Sequence, residues 1–323
     1  MNRLLMTAAA AAIALGAMSA QAAEKVNYLF PAPDFLPAFA PFQLAESKGY
    51  FDEAGLDVTF RTGKGGADVA TQVAAGNVDM GGGMGDTAII VRPNGLEVRG
   101  VALLGGKGLT QLAWRADSGI TGPEDFKGKN IGVISFQDTA YYNLLGVLAS
   151  VGLDKSDVSI QAVGAGGIIQ LMIAGRLDAM SGVPEWVAAI EGAGVEIGQA
   201  PVDTIFPAMA QAIIASDKTI AERPEMVKGF VGAVLRAVRD IEADPAQAAK
   251  DFVAVVPQQT GKEAEIEAIM TAYANKVYPE GEGQPLGAFD PARIEAVQDF
   301  YVEAGIIQSP SPVDSLYTNE FVQ

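Results

Sequence analysis

The chain has 323 residues, 49% of them hydrophobic and 19% charged, which is enough apolar material for one large or two ordinary domains and excludes a mainly disordered state. Its 22 basic and 39 acidic residues leave a formal charge of −17, the wrong sign for a general binder of nucleic acid or of anionic membrane surfaces. It has no cysteine and no histidine, so disulfides, thiolate or imidazole metal sites and Ser-His or Cys-His catalysis are excluded; no cofactor and no metal are expected.

Residues 1–22 read as a secretory signal. Arg3 supplies the positive start, Leu4 to Ala17 an apolar run too short to span a bilayer, and Ala20-Gln21-Ala22 a small-x-small cleavage site. No cysteine follows, so lipid anchoring is excluded. A mature periplasmic protein beginning near Ala23, without direct membrane insertion, is expected.

Strands then alternate with helices. Val26–Phe30 is a strand broken by Pro31, Pro33 and Pro37. Pro41 to Ser47 reads as a helix, Leu56–Arg61 as a strand, and Ala67–Ala75 as a helix stopped by Gly76. Val78–Met80 is a strand running into Gly81-Gly82-Gly83-Met84-Gly85, and Val98–Leu104 is another. The plan recurs with Ile131–Ile134, a helix capped at Asp138 or Thr139, Val158–Val163, the helix Ile168–Ala174 and the strand Leu177–Met180. In particular, Gly65-Gly66…Gly76-Asn77-Val78-Asp79 matches Gly166-Gly167…Gly175-Arg176-Leu177-Asp178. Two copies imply two α/β lobes of like topology, each with a mostly parallel sheet flanked by helices. Leu112–Arg115 would leave the first lobe and Ile205–Ser216 return to it. Lobe one is then 23–112 plus 210–323, including helices from Pro224, Glu263 and Pro291, and lobe two is 113–209. Two crossovers make a hinge, and a hinge makes a cleft that closes.

Ligands in open α/β sheets bind beyond the carboxyl ends of strands, so the post-strand loops hold the candidates. Phe35 with Asp34 offers an aromatic wall and a carboxylate, or a rigid proline turn. Gly65 and Gly66, beside Lys64, expose amides at a helix start, suited to an anion or a carbonyl oxygen. Asp86 is either a helix cap or a ligand acceptor. Ser135 to Tyr142 is the densest polar and aromatic cluster and contributes Gln137, Asp138, Thr139 and Tyr141. Glu185 would accept from a ligand amine or cap its helix; its neighbour Trp186 is one of two tryptophans and stands either in a cleft wall or in a core.

Four segments carry a family resemblance: Gly49-Tyr50-Phe51-Asp52-Glu53-Ala54-Gly55-Leu56-Asp57-Val58, Ala75-Gly76-Asn77-Val78-Asp79-Met80, Phe126-Lys127-Gly128-Lys129-Asn130-Ile131-Gly132-Val133 and Ala174-Gly175-Arg176-Leu177-Asp178-Ala179. In order and spacing they resemble the periplasmic solute-binding proteins of ABC importers, in the nitrate/sulfonate/taurine and thiamine-pyrimidine-precursor group. The resemblance implies a type II periplasmic binding fold and a monomer that grips a small-molecule solute between lobes and passes it to an ABC permease in the inner membrane. It also implies ligand contacts at Phe35, Gly65, Gly66, Asp86, Gln137, Thr139, Tyr141 and Glu185. Carboxylates outnumber cations in these loops, which favours a pyrimidine-like or amine-bearing ring compound. The alternative is a small anion such as sulfonate, taurine or nitrate. An enzyme is the other class: a pyrimidine-precursor synthase, which the resemblance ties to a histidine this chain lacks, or a hydrolase using Asp34, Asp86, Asp138 and Glu185.

Overall fold

The computed structural model describes residues 22–205, 207–281 and 283–322. All of the expected export signal except Ala22 lies outside the described residues. The chain folds into two α/β lobes, each built on one five-stranded sheet.

The first sheet is formed by β1 (Glu24–Phe30), β2 (Leu56–Thr62), β3 (Met80–Met84), β4 (Val98–Leu103) and β10 (Gln211–Ser216), in the order β2-β1-β3-β10-β4. The second is formed by β5 (Gln111–Arg115), β6 (Asn130–Val133), β7 (Ser159–Ala162), β8 (Ala179–Gly182) and β9 (Ile197–Pro201), in the order β7-β6-β8-β5-β9. The two orders are the same path: the first three positions pair in parallel, and the fourth is an antiparallel strand delivered by a crossover. Each sheet is therefore mixed, because the chain enters lobe two through β5 and re-enters lobe one through β10.

The helices fill the connections. They are α1 (Ala40–Ser47), α2 (Tyr50–Glu53), α3 (Gly66–Ala74), α4 (Thr87–Val91), α5 (Thr139–Ser150), α6 (Gly164–Ile173) and α7 (Pro184–Gly192). After β10 come α8 (Asp217–Glu222), α9 (Pro224–Ala243), α10 (Pro245–Val255), α11 (Glu263–Lys276) and α12 (Pro291–Glu303). Among the described residues, no helix is long and apolar enough to cross a membrane.

Two strands begin two residues later than the sequence predicts. The expected strand at Val78–Met80 runs instead through Met80–Met84, and that at Leu177–Met180 lies at Ala179–Gly182. In both copies the residues just before the strand are held by the aspartate. Asp79 Oδ2 accepts from the Asn27 amide at 2.7 Å and from Asn27 Nδ2 at 3.4 Å. Asp178 Oδ2 accepts from the Asn130 amide at 2.8 Å and from Asn130 Nδ2 at 3.2 Å. The glycines preceding them, Gly76 at φ 72° and Gly175 at φ 67°, adopt the left-handed turn that a side chain resists.

The lobe-one core is aromatic. Tyr28, Phe30, Phe42, Phe51 and Phe230 are each at most 1% exposed, and Phe230 stacks on both Tyr28 and Phe51 at 5.0 Å between ring centres. Phe230 comes from α9, whose stripe of Met226, Phe230, Val234 and Val238 is buried as its spacing predicts. α9 thus packs on the aromatic core of lobe one.

Candidate functional site

The two lobes touch along a line of hydrogen bonds beside a small cavity. The Ala67 amide, at the start of α3, donates across the gap to the Gln137 carbonyl at 3.0 Å. Ser135 Oγ donates to the Lys64 carbonyl at 3.2 Å. Thr87 Oγ1 and Thr139 Oγ1 lie 3.2 Å apart. Asn143 Nδ2 donates to Asp86 Oδ2 at 2.6 Å. The glycine-rich turns of the two lobes face each other, and the lobes are shut.

Gly65 and Gly66 make this approach fit. A Cβ on Gly65 would fall 2.8 Å from the Gln137 carbonyl oxygen, and one on Gly66 would fall 2.6 Å from Thr139 Oγ1. At this helix start the Gly65 amide donates to the Pro31 carbonyl of its own lobe at 2.8 Å, and the Ala67 amide is spent on the opposite lobe's backbone.

The cavity has a volume of about 60 Å³. Its apolar walls include Leu36, Phe39 and Met84 from lobe one, Leu109 from a crossover, and Ile134 and Trp186 from lobe two. Its polar lining comprises Asp138, Thr139, Glu185 and Gln211. Among the described residues, no lysine or arginine lines it. Trp186 lies there because Gly182 has no side chain: a Cβ would come within 2.5 Å of the indole ring.

Two buried polar atoms on this wall, Trp186 Nε1 and Glu185 Oε1, have no hydrogen-bond partner. The other carboxylate oxygen, Glu185 Oε2, accepts from the Tyr273 hydroxyl at 2.7 Å. Burial pushes the Glu185 carboxyl above its ordinary range, and the Tyr273 hydrogen bond opposes it. Burial also pushes Asp138 up to about 6, against the stabilising Ala140 amide, which donates to Asp138 Oδ1 at 2.9 Å as the first turn of α5 is capped.

Of the residues expected at the ligand, Gly66, Thr139 and Glu185 line the cavity. Phe35, Gly65, Asp86, Gln137 and Tyr141 do not. Phe35 packs on the core while its carbonyl accepts from Gln259 Nε2 at 2.9 Å. Gly65 and Gln137 serve the lobe contact through their backbones. Tyr141 turns away to pack edge-on against Phe136 and Tyr142, with ring centres 5.2 and 5.4 Å apart. Asp86 is fully buried behind the wall, where it accepts from Asn143 and from the Tyr301 hydroxyl of α12. It occupies the N-cap position of α4 without making a side-chain cap bond. Burial raises its carboxyl to about 6 in spite of these two donors. Gln211, on the returning strand, lines the cavity and was given no role from the sequence, because nothing in an apolar strand marks one position as facing a cleft.

The pattern of the family described as "NMT1/THI5 like" matches residues 36–248. The chain belongs to this family. Among its relatives, the riboflavin-binding protein RibY of Chloroflexus aurantiacus is 26% identical over 98% of this chain and 91% of its own length. A 4-amino-5-hydroxymethyl-2-methylpyrimidine phosphate synthase of Aspergillus parasiticus is 29% identical over 68% of each chain. Solved structures share the fold. The alkanesulfonate-binding protein SsuA of Xanthomonas axonopodis pv. citri, bound to MOPS, superposes with a TM-score of 0.71 at 17% identity, covering 93% of this chain and 99% of that one. A Bordetella bronchiseptica protein does so with 0.77 at 24% identity, covering 94% and 96%. The NMT1/THI5-like fold here is thus the two-lobed periplasmic binding protein fold.

Proposed function

We propose that this chain is a periplasmic solute-binding protein that shuts its lobes on a small, nitrogen-bearing ring compound and delivers it to an ABC permease of the inner membrane. In this reading the moving bodies are 23–112 with 210–323, and 113–209. The observation that carries it is the cavity wall where the Trp186 indole N–H and one oxygen of the Glu185 carboxylate, Oε1, are buried without hydrogen-bond partners. Each such atom costs about 1–3 kcal/mol until a partner arrives. A ligand with one acceptor and one N–H donor on its edge satisfies both, while the apolar walls take its faces.

Size supports a single ring. A water-sized group needs roughly 10–15 Å³ by the same measure, so about 60 Å³ holds a handful of such groups in the shut state. Charge supports a neutral or amine-bearing compound, since two carboxyl groups and no cation line the space. The fold likeness to an alkanesulfonate-binding protein favours the small-anion alternative. Against it stand the absence of a lining cation and the engagement of the α3 amide with Gln137. A second reading, an enzyme, draws on two carboxyl groups with raised pKa in one cavity and on the synthases among the relatives.

A thermal-shift and calorimetric comparison of 4-aminopyrimidine, riboflavin, ethanesulfonate and nitrate separates these readings. The ring amine is expected to bind, adding about 2.7 kcal/mol of stability at a hundred times its dissociation constant. Binding of the anions alone would overturn the ligand class, and turnover of the bound compound would favour the enzyme.

A further inference from the structure

Glu185 is held by a group from the other lobe. It stands in the first turn of α7 in lobe two, whereas Tyr273 is on α11, which packs on α9 and α10 in lobe one. Both side chains are buried, at 4% and 2% exposure, and the hydroxyl donates to Oε2 at 2.7 Å. In the shut molecule this bond leaves Oε1 as the oxygen without a partner.

We propose that Tyr273 is a positioning residue for ligand recognition: its hydroxyl reaches across the cleft to fix the Glu185 carboxylate with one oxygen free for a ligand N–H, so that the acceptor is completed by closure itself. The inference rests on the cavity being the ligand site.

The chemistry of the surroundings singles out this hydroxyl. The groups facing Glu185 are Tyr273 and Tyr278 around the end of α11, Asp138 at the start of α5 on the same cavity, and the Ala38 amide. None is a cation, so hydrogen bonds alone oppose the desolvation that favours the neutral acid, and the Tyr273 bond is the largest of them. Without the hydroxyl, Glu185 holds its proton to higher pH, and the protonated oxygen competes as a donor where the ligand needs an acceptor.

Tyr273→Phe tests this with the buried ring retained. The reporter is Trp186, isolated by Trp114→Phe, because the chain has two tryptophans. In the ligand-free protein, the pH midpoint of Trp186 emission is expected to move upward in Tyr273→Phe. That movement is expected to vanish when Glu185→Gln is also present, which separates Glu185 from Asp138. With 4-aminopyrimidine as probe, Tyr273→Phe is expected to weaken binding about tenfold at neutral pH in the Glu185 chain and to have little effect in the Glu185→Gln chain. A uniform loss at every pH in both backgrounds would mean a merely structural tyrosine and overturn the proposal. So would an unmoved midpoint with probe binding intact. Failure of the parent chain to bind the probe, with the midpoint still moved by Tyr273→Phe, would instead strike the ligand reading and leave the Tyr273–Glu185 link standing.

Discussion

Single residues repeat their jobs across the two lobes. Asp79 and Asp178 each collect the amide and side-chain nitrogen of an asparagine in the neighbouring strand, Asn27 or Asn130. The backbone answers in kind: the aspartate amides donate to the Asn27 and Asn130 carbonyls at 3.0 and 2.9 Å. Asp79 is further engaged by Arg223, which makes Asp178 the cleaner probe. Asp178→Ala removes the acceptor for two donors, and urea unfolding is expected to show a loss of about 1–3 kcal/mol. Asp86 gives a prediction in pH. Its carboxyl is raised to about 6 in the folded state, above the unfolded value near 4. The folded chain therefore binds the extra proton, so this contribution is full below about pH 4 and is lost as pH rises through about 6. Asp86→Asn, always neutral, is expected to gain stability relative to the parent between pH 4 and pH 7, by on the order of 3 kcal/mol. Unfolding curves at the two pH values check it; a constant difference would show that Asp86 does not titrate in this window.

At the level of elements, the decisive contact is the start of α3 against the start of α5. Gly66 is a helical residue, so alanine there is locally favourable in an open molecule. In the shut molecule the same methyl meets Thr139 Oγ1 of the other lobe at 2.6 Å, a far tighter approach than the 3.2 Å to Thr87 Oγ1 of its own lobe, which a small hydroxyl shift relieves. Gly66→Ala is thus expected to leave the unfolding midpoint nearly unchanged or slightly raised, while calorimetry shows ligand affinity reduced at least tenfold. Equal damage to stability and binding would contradict the assignment of this contact to closure. The sequence made the contact half legible. A glycine pair before a helix marks a place where something approaches closely, but it does not say whether that is a ligand or the other lobe. Tyr141 shows the opposite limit: adjacent aromatics on one helix face different directions, and only packing against Phe136 and Tyr142 decides which. Trp186 and Glu185 were legible as a pair beyond a strand, because the repeat had already located that strand. Tyr273 carried no such signal, lying in a helix whose period announces burial and nothing more.

For the whole molecule, the two-lobed plan was legible because the same short pattern appears twice, with an aspartate that performs the same task each time. The mixed pairing of each sheet was less so: β5 and β10 read as apolar runs, and an apolar run does not declare its direction. The crossovers run side by side, with Leu104 N–H donating to the Gln211 carbonyl at 2.7 Å and Val202 N–H to the Thr110 carbonyl at 3.0 Å. If the lobes open, these two neighbouring strips of backbone are where the chain bends. Small-angle scattering is expected to show a larger radius of gyration for Gly66→Ala than for the parent, returning toward the parent value when ligand is supplied in large excess. Identical scattering from both proteins would place the shut form beyond the control of this contact.

The interleaved strand order also sets a timetable for synthesis. The strands of the second sheet lie in one uninterrupted stretch, residues 111–201, whereas the first sheet lacks its fourth member until residues 211–216 have been made. Until then β4 has no neighbour in its sheet: β10 is the strand it pairs with there, and its bridge from Gly100 to Tyr317 forms with residues made later still. The half of the molecule begun first is therefore the half finished last, and a chain halted at residue 201 carries one complete sheet beside one with an unpaired edge.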